Sequence, residues 1–224
     1  QNLILDLRYN PGGSVNSARI LGSMITGISN GIFTKLQYNN ELQSNNINYD
    51  FNNTFSDGTA INSIGLNKVF VIATKGSASA SEMIINSLRS YINVVHIGTK
   101  TVGKSQASVT LYDSPNLQRL GANPGHLYAL QPLVAITVNK DDFSVPPTGL
   151  TPTIQVEENV SNYGVLGDTN EPLLAAALAS IGTGKIAIDT QGISPILDSN
   201  SFEPHSHEMY IDWFSPFLKF ELKP

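Results

Sequence analysis

Short apolar runs followed by segments with apolar residues at helical spacing dominate the pattern along the chain. The runs at residues 3–7, 69–73 and 93–98 are rich in leucine, isoleucine and valine, which is typical of buried strands. Helical spacing follows the first two runs, after a predicted N-cap at Ser14 and from Glu82 onward. Repeated strand-turn-helix units of this kind predict an α/β fold with helices packed on a sheet.

The rest of the sequence predicts a further set of strands, a polar loop and one helix. An asparagine-rich stretch at 39–59 predicts a long polar loop or hairpin after a strand at 32–38. Further strands are predicted within 127–138 and at 154–156, with a helix at 171–181. The inward face of that helix is predicted to carry Leu173, Leu174, Ala177 and Leu178.

Two strand-to-helix turns contain unusual residues. Pro11, Gly12 and Gly13 follow the first strand, where proline ends the strand and glycines allow backbone conformations closed to other residues. Small residues at 76–81 follow the second strand and place Ser79 at a predicted helix N-terminus. Free backbone N–H groups there favour negative charge, which suits a nucleophile whose attack creates an oxyanion.

Composition narrows the classes of function. The 224 residues, 41% hydrophobic, suffice for one large domain or one domain with an appendage. A net charge of −5 and the lack of a basic patch argue against a nucleic-acid partner.

The chain has no cysteine, hence no disulfide or thiolate metal site, and no apolar run approaches the ~20 residues of a membrane-spanning helix. Because it begins inside a predicted strand, we expect it to be a piece of a longer precursor.

Ser79 and Lys104 are candidates for nucleophilic catalysis. A serine hydroxyl needs a base, and none of the four histidines stands in a recognisable triad setting. Lys104 can act only when uncharged, which at pH 7 costs about 4–5 kcal/mol from a reference pKa near 10.4. Burial lowers a lysine pKa by up to about 3–5 units, so desolvation could meet this requirement.

Each of these signals also has a structural interpretation. Ser79 and Glu82 have the spacing of a helix capping box. Lys104 alone is typical of a solvated surface charge, and the Gly12-Gly13 pair of an ordinary tight turn. Taken singly, each residue favours the structural interpretation.

Three segments, taken in their order along the chain, favour the catalytic interpretation of Ser79 and Lys104. Leu5-Asp6-Leu7-Arg8-Tyr9-Asn10-Pro11-Gly12-Gly13, then Gly76-Ser77-Ala78-Ser79-Ala80-Ser81-Glu82, then Gly98-Thr99-Lys100-Thr101-Val102-Gly103-Lys104 resemble the C-terminal processing (tail-specific) serine peptidases, which are related to the tricorn core. The serine-to-lysine separation of twenty-five residues also matches that family. The similarity extends to about residue 181.

The resemblance implies a crotonase/ClpP-like α/β core and a Ser–Lys dyad. It also implies a polypeptide substrate, no metal or organic cofactor, and a location in the bacterial envelope or periplasm. It divides the chain into a catalytic domain at 1–182 and a C-terminal extension at 183–224. The roles it implies are nucleophile for Ser79, general base and acid for Lys104, backbone oxyanion hole for Ala80 with Gly12 and Gly13, and support for Glu82 and Thr101.

The sequence departs from the family pattern at three points. Ser108 stands where many members have a glutamine four residues after the lysine, and Ser90 stands where some have an aspartate. Gln106 or Ser108 is expected to help orient the lysine. The PDZ domain usually found upstream is not in this chain.

We therefore keep three hypotheses. The first is a serine endopeptidase that acts through an acyl-enzyme on Ser79. The second is a catalytically impaired relative that serves as a peptide-binding or scaffold module. The third is a crotonase-type acyl-CoA enzyme, which would share the backbone oxyanion hole but lacks an evident nucleotide-phosphate site. A metal pair within His205-Ser206-His207-Glu208 is disfavoured, since no third ligand is evident. His126 is interpreted as structural and Asp141-Asp142 as a solvated turn.

Overall fold

A computed structural model describes residues 1–159, 161–183 and 209–210 of the chain. In chain order its elements are β1 (Ile4–Asp6), α1 (Val15–Thr26), β2 (Ile32–Tyr38), a 3-10 helix (Gln43–Asn45), β3 (Ile47–Asp50), β4 (Lys68–Ala73), α2 (Ala80–Leu88), β5 (Asn93–Gly98), β6 (Gln106–Ser108), β7 (Leu111–Tyr112), β8 (Ala129–Leu130), β9 (Leu133–Val138), β10 (Ile154–Gln155), α3 (Pro172–Thr183) and β11 (Met209–Tyr210). Nearly all of the predicted extension at 183–224, including His205, His207 and Glu208, lies outside the described residues.

A parallel four-stranded sheet forms the centre of the fold. Its strand order is β1-β4-β5-β10, and every neighbouring pair is parallel. Alternate residues of β4 enter two cores: Val69 and Val71 pack with residues of α1 and α2, whereas Phe70 and Ile72 pack with Leu173 and its neighbours on α3. Because both faces of β4 are covered, its sequence is a continuous apolar run rather than an alternating one. The predicted α/β fold is confirmed.

A second sheet lies beside the first. Its order is β11-β6-β9-β2-β3, antiparallel except for the β11–β6 pair. The asparagine-rich stretch after β2 forms the predicted hairpin, with the 3-10 helix and β3 returning along β2. A short β7–β8 pair stands apart.

Several details differ from the sequence prediction. Leu178 was predicted to face inward but is 38% exposed, and Ala176 is buried instead. The helix continues through Gly182 to Thr183, so the glycines there do not end it where predicted. The strand predicted within 127–138 is split into β8 and β9.

The connections at the carboxyl ends of β1, β4 and β5 carry the candidate site, as is usual at this edge of an open α/β sheet. No helix of the described residues is long and apolar enough to cross a membrane.

Candidate active site

Ser79 ends the turn that leads from β4 into α2, residues 74–79, which we call the serine turn. Its backbone has φ 61° and ψ −116°, a conformation that residues other than glycine rarely adopt. Such strain costs on the order of 1–3 kcal/mol and persists only where the surroundings enforce it. The side chain is completely buried, and Oγ has no hydrogen-bond partner within the described part of the chain. The fold thus holds an unpaired hydroxyl at a helix N-terminus.

The capping box predicted for Ser79 and Glu82 is present in outline. Glu82 completes its half, since Oε2 accepts the Ser79 backbone N–H at 2.9 Å. Ser79 Oγ is placed near the third N–H of the helix but makes no hydrogen bond of normal geometry there. The hydroxyl is therefore not committed to capping.

The turn after β1, residues 8–13, lies against the serine turn, and we call it the glycine turn. Backbone carbonyls at the end of β1 and in the glycine turn accept hydrogen bonds from the serine turn and the start of α2. The four hydrogen bonds, each given from donor to acceptor, are Ser77 Oγ to Leu7 O at 2.6 Å, Thr74 Oγ1 to Arg8 O at 2.6 Å, Ala78 N to Asn10 O at 3.2 Å, and Ser81 Oγ to Asn10 O at 3.0 Å. These bonds fix the two turns relative to each other.

Gly12 lies directly against the nucleophile candidate. A Cβ at Gly12 would lie 2.7 Å from Ser79 Cβ and 3.1 Å from Ala80 N, and its φ of +122° disfavours other residues. The Gly12 N–H donates to Asn10 Oδ1 at 2.9 Å and is thus already paired. Within residues 1–159 and 161–183, the N–H groups of Gly13 and Ala80 make no hydrogen bond. Gly13 and Ala80 thus keep unpaired backbone donors directly after Gly12 and Ser79 in the chain.

The carboxylate of Glu82 joins the serine turn to the segment after β5, residues 99–104, which we call the lysine turn. Oε2 accepts the backbone N–H groups of Ser79 at 2.9 Å and Lys104 at 2.8 Å. Oε1 accepts the Gly103 N–H at 2.7 Å and the Thr101 hydroxyl. The side chain is fully buried, and four donors replace the water that an ionised carboxylate would lose on burial.

Packing against the 146–150 turn holds the lysine turn from its other side. Thr101 N–H donates to Leu150 O at 3.3 Å, and Leu150 N–H donates to Thr101 Oγ1 at 2.8 Å. A Cβ at Gly103 would lie 2.3 Å from Pro147 O, so the main chains touch there. Lys104 follows directly and is half-buried, which is less burial than the sequence led us to expect.

The candidate third residues occupy different environments. Gln106 is half-buried at the start of β6, and Ser108 is buried at its end. The strand begins only after Lys104, and its pairing with β9 shifts register between Ala107 and Ser108. Ser90 follows the C-terminal end of α2, whereas Ser79 precedes its N-terminal end.

Comparison with known proteins identifies the family. The family model of peptidase family S41 matches residues 1–156. The chain belongs to peptidase family S41. The resemblance to C-terminal processing peptidases is thereby confirmed.

Individual S41 relatives agree with this assignment. A protein of Staphylococcus haemolyticus (strain JCSC1435) named as a CtpA-like serine protease is 28% identical over 110 residues, which are 49% of this chain and 20% of that protein. The crystal structure of a candidate S41 protease from Bacteroides fragilis NCTC 9343 has 33% identity and a TM-score of 0.69, covering 82% of this chain and 45% of the other. A photosystem II D1 C-terminal processing protease shares the fold at 21% identity and a TM-score of 0.51, covering 77% and 40%. The chain thus spans about a fifth of the curated relative and less than half of these two structures.

Sequence reasoning missed the ionic surroundings of Arg8, which lies in the glycine turn of the candidate site. The guanidinium is buried against Asp6, Glu158 and Glu171. A cleft of about 540 Å3 opens beside it, lined by residues 6–12 and Leu166. Arg8 stands in a segment that carried the family resemblance, but no sequence signal pairs it with carboxylates so distant in the chain.

Proposed function

We propose that this chain carries the catalytic centre of a serine endopeptidase, with Ser79 as nucleophile and Lys104 as general base. The observation that supports it most is the buried, unpaired Ser79 hydroxyl at the N-terminus of α2, with unpaired N–H groups among the described residues at Ala80 and, in the adjoining glycine turn, at Gly13. A strained backbone and an unsatisfied hydroxyl are both costly, and functional sites are where such costs are retained.

The proposed reaction begins with proton transfer from Ser79 Oγ to the uncharged amine of Lys104. Oγ attacks the carbonyl carbon of a peptide bond, and the resulting oxyanion accepts hydrogen bonds from Gly13 and Ala80. The Lys104 ammonium then returns its proton to the leaving amine as the C–N bond breaks, which leaves an ester on Ser79. Water, deprotonated by Lys104, hydrolyses this ester to a carboxylate and restores the serine.

Lys104 must be uncharged for the first step. It is half-buried in this structure, and a bound polypeptide would remove more of its water. Desolvation favours the uncharged amine, so substrate binding itself would help to prepare the base.

Glu82 and Thr101 have a positioning role in this proposal. The Thr101 hydroxyl donates to Glu82 Oε1 and accepts from the Leu150 N–H. Both of these contacts hold the lysine turn rather than the lysine amine. Glu82 then sets the distance between the serine and lysine turns.

Polypeptide tails are the proposed substrate class, on the basis of the family and the CtpA-like relative. The mechanism needs no metal or organic cofactor. A bacterial envelope location belongs to the same proposal and depends on the family alone.

The test is cleavage of a disordered polypeptide by the purified full-length protein, with products identified by mass spectrometry. Ser79→Ala and Lys104→Ala should each abolish cleavage and leave circular dichroism unchanged. Ser63→Ala and Lys100→Ala replace exposed residues of the same types and should cleave normally. Retained cleavage by Ser79→Ala would overturn the mechanism.

The second candidate function is a peptide-binding or scaffold module without turnover. The residues at the two family positions for a third catalytic group favour it, since Ser90 lies beyond the far end of α2 and Ser108 is a buried serine. Binding of the polypeptide without products, by both the unaltered protein and Ser79→Ala, would support this candidate over the peptidase.

A further inference from the structure

Arg8 is the most heavily paired ionic group among the described residues. Its Nη1 lies 2.9 Å from Glu158 Oε1 and 2.8 Å from Glu171 Oε1, and its Nη2 lies 2.9 Å from Asp6 Oδ2. The Arg8, Glu158 and Glu171 side chains are 4%, 5% and 0% exposed, whereas Asp6 is 47% exposed. Glu158 and Glu171 are the buried partners of this guanidinium, and breaking a buried ion pair by removing one partner is destabilising.

The protonation states of this network are mutually reinforcing. Burial disfavours the charged Arg8 guanidinium, but hydrogen bonds with Glu171, Asp6 and Glu158 outweigh it and raise its pKa. Burial likewise opposes ionisation of Glu171, yet Arg8 and the N–H groups of Leu173 and Leu174 together lower its pKa. The Arg8–Glu171 pair is therefore ionic at neutral pH.

Both buried carboxylates come from the segment between β10 and α3. Glu171 immediately precedes α3, where its oxygens accept the N–H groups of Leu173 at 3.0 Å and Leu174 at 2.9 Å. Glu158 also accepts the Tyr9 hydroxyl, at 2.9 and 2.8 Å. Two consecutive residues of the glycine turn, Arg8 and Tyr9, are thus held by carboxylates that lie beyond the family match at 1–156.

The backbone of Arg8 is part of the contact between the two turns. Its carbonyl accepts the Thr74 hydroxyl at 2.6 Å. Two residues further, the Asn10 carbonyl accepts the Ala78 N–H, and Asn10 Oδ1 accepts the Gly12 N–H. The Arg8 backbone thus belongs to the same short turn that places Gly12 against Ser79.

We infer that Arg8 is a positioning residue for the glycine turn, and that Glu158 and Glu171 hold it there. These two glutamates thereby complete the site although they lie outside the family-matched part. The consequence for turnover rests on the proposed function, whereas the consequence for the order of the glycine turn does not.

Hydrogen exchange of the full-length protein tests the order of the turn directly. The Asn10 and Gly12 amides are both hydrogen-bonded, to Leu7 O at 3.1 Å and to Asn10 Oδ1 at 2.9 Å, so their exchange reports opening. In Glu158→Gln/Glu171→Gln, peptides covering 8–14 should exchange at least about tenfold faster, which corresponds to about 1.4 kcal/mol of local opening. The matched control is Glu157→Gln, whose exposed neighbouring carboxylate accepts only from Gln155 among the described residues, and it should exchange as the unaltered protein does.

Two outcomes would overturn the inference: unchanged exchange at 8–14 in the folded double variant, or acceleration of equal size over all segments. Glu158→Gln alone provides a second test if the double variant does not fold, because it weakens the hold on Arg8 and leaves the Arg8–Glu171 pair in place. Its acceleration should be smaller and confined to the same peptides, and no acceleration would count against the inference.

Kinetics separate positioning from general structural support. In an active protein the double variant should lose kcat by about a hundredfold, as expected for a ~1 Å misplacement, with KM nearly unchanged. An equal loss in Glu157→Gln, or a change in KM alone, would contradict positioning. If the unaltered protein cleaves nothing, the proposed function fails while the exchange result still decides the role of Arg8.

Discussion

The backbone N–H groups of Ser79 and Lys104 donate to one and the same oxygen, Oε2 of Glu82, at 2.9 and 2.8 Å. The two residues are twenty-five positions apart in the chain, yet their amides can be no further apart than the sum of those distances. A single buried carboxylate thus joins the turn that carries the candidate nucleophile to the turn that carries the candidate base.

Replacement of Glu82 should separate these turns. Glu82→Gln substitutes an NH2 group for one acceptor oxygen, which leaves at least one of the four donors unpaired in a fully buried place. Such a loss costs about 1–3 kcal/mol, and more where the lost group is charged. Urea unfolding should therefore show a lower free energy of unfolding, and polypeptide cleavage should fall at the same time.

The control for this prediction is Glu41→Gln, which alters an exposed carboxylate remote from these turns in sequence. It should unfold at the same urea concentration as the unaltered protein. If Glu82→Gln were as stable as the unaltered protein, the Glu82 carboxylate would not be what holds the two turns together.

Replacement of Gly12 should be more costly than replacement of its neighbour. Gly12→Ala meets Ser79 Cβ at 2.7 Å in addition to an unfavourable φ of +122°, whereas Gly13→Ala has φ +143° but no atom within 4 Å. Backbone strain alone costs on the order of 1–3 kcal/mol, so both variants should lose stability, with Gly12→Ala losing more. Equal losses in urea unfolding would show that the contact with Ser79 relaxes without cost.

Ser79 and Ser77 should respond to alanine with opposite signs. Ser79 Oγ is buried and unpaired, so Ser79→Ala removes a desolvated polar group and should raise the free energy of unfolding by about 1 kcal/mol or more. Ser77 Oγ donates to Leu7 O and accepts the Thr74 N–H, so Ser77→Ala should lower it by about 1–3 kcal/mol. Thermal and urea unfolding of both variants measure the two signs, and destabilisation by Ser79→Ala would mean that its hydroxyl is paired in solution.

Local patterns predicted much of this structure. Apolar runs located β1, β4 and β5, and Ser14 was placed correctly as the N-cap of α1, where it accepts the Ser17 N–H. These features depend on residues close together in the chain, which is why periodicity and capping preferences report them.

Contacts between residues far apart in the chain could not be predicted from such local patterns. Arg8 and Glu171 are 163 positions apart, and nothing near either residue specifies the other. The capping-box spacing of Ser79 and Glu82 could be recognised in the sequence. The sequence did not show that Glu82 also accepts hydrogen bonds from the lysine turn, because those donors are distant in the chain. Leu178 was misassigned for a related reason: which stripe of an alanine-rich helix faces the sheet depends on what it packs against.

His96 should make stability depend on pH below neutrality. The residue is fully buried on β5, and its Nε2 lies 3.1 Å from Ala73 O, at the end of β4. Since a carbonyl oxygen can only accept, Nε2 carries the proton, and Nδ1 has no partner among the described residues. Protonation would place an unpaired N–H in the core.

Burial therefore lowers the pKa of His96 below its usual 6.5, the positive charge of Arg89 adds to this effect, and the hydrogen bond to Ala73 opposes it. The unfolded chain then binds more protons than the folded one as pH falls below 6.5, so the free energy of unfolding decreases in that range. In His96→Gln this part of the decrease should vanish, whereas His126→Gln, at a half-exposed histidine, should keep it. Urea unfolding between pH 7.5 and about 5 measures the slope, and an identical slope in His96→Gln would show that His96 takes up its proton equally in both states.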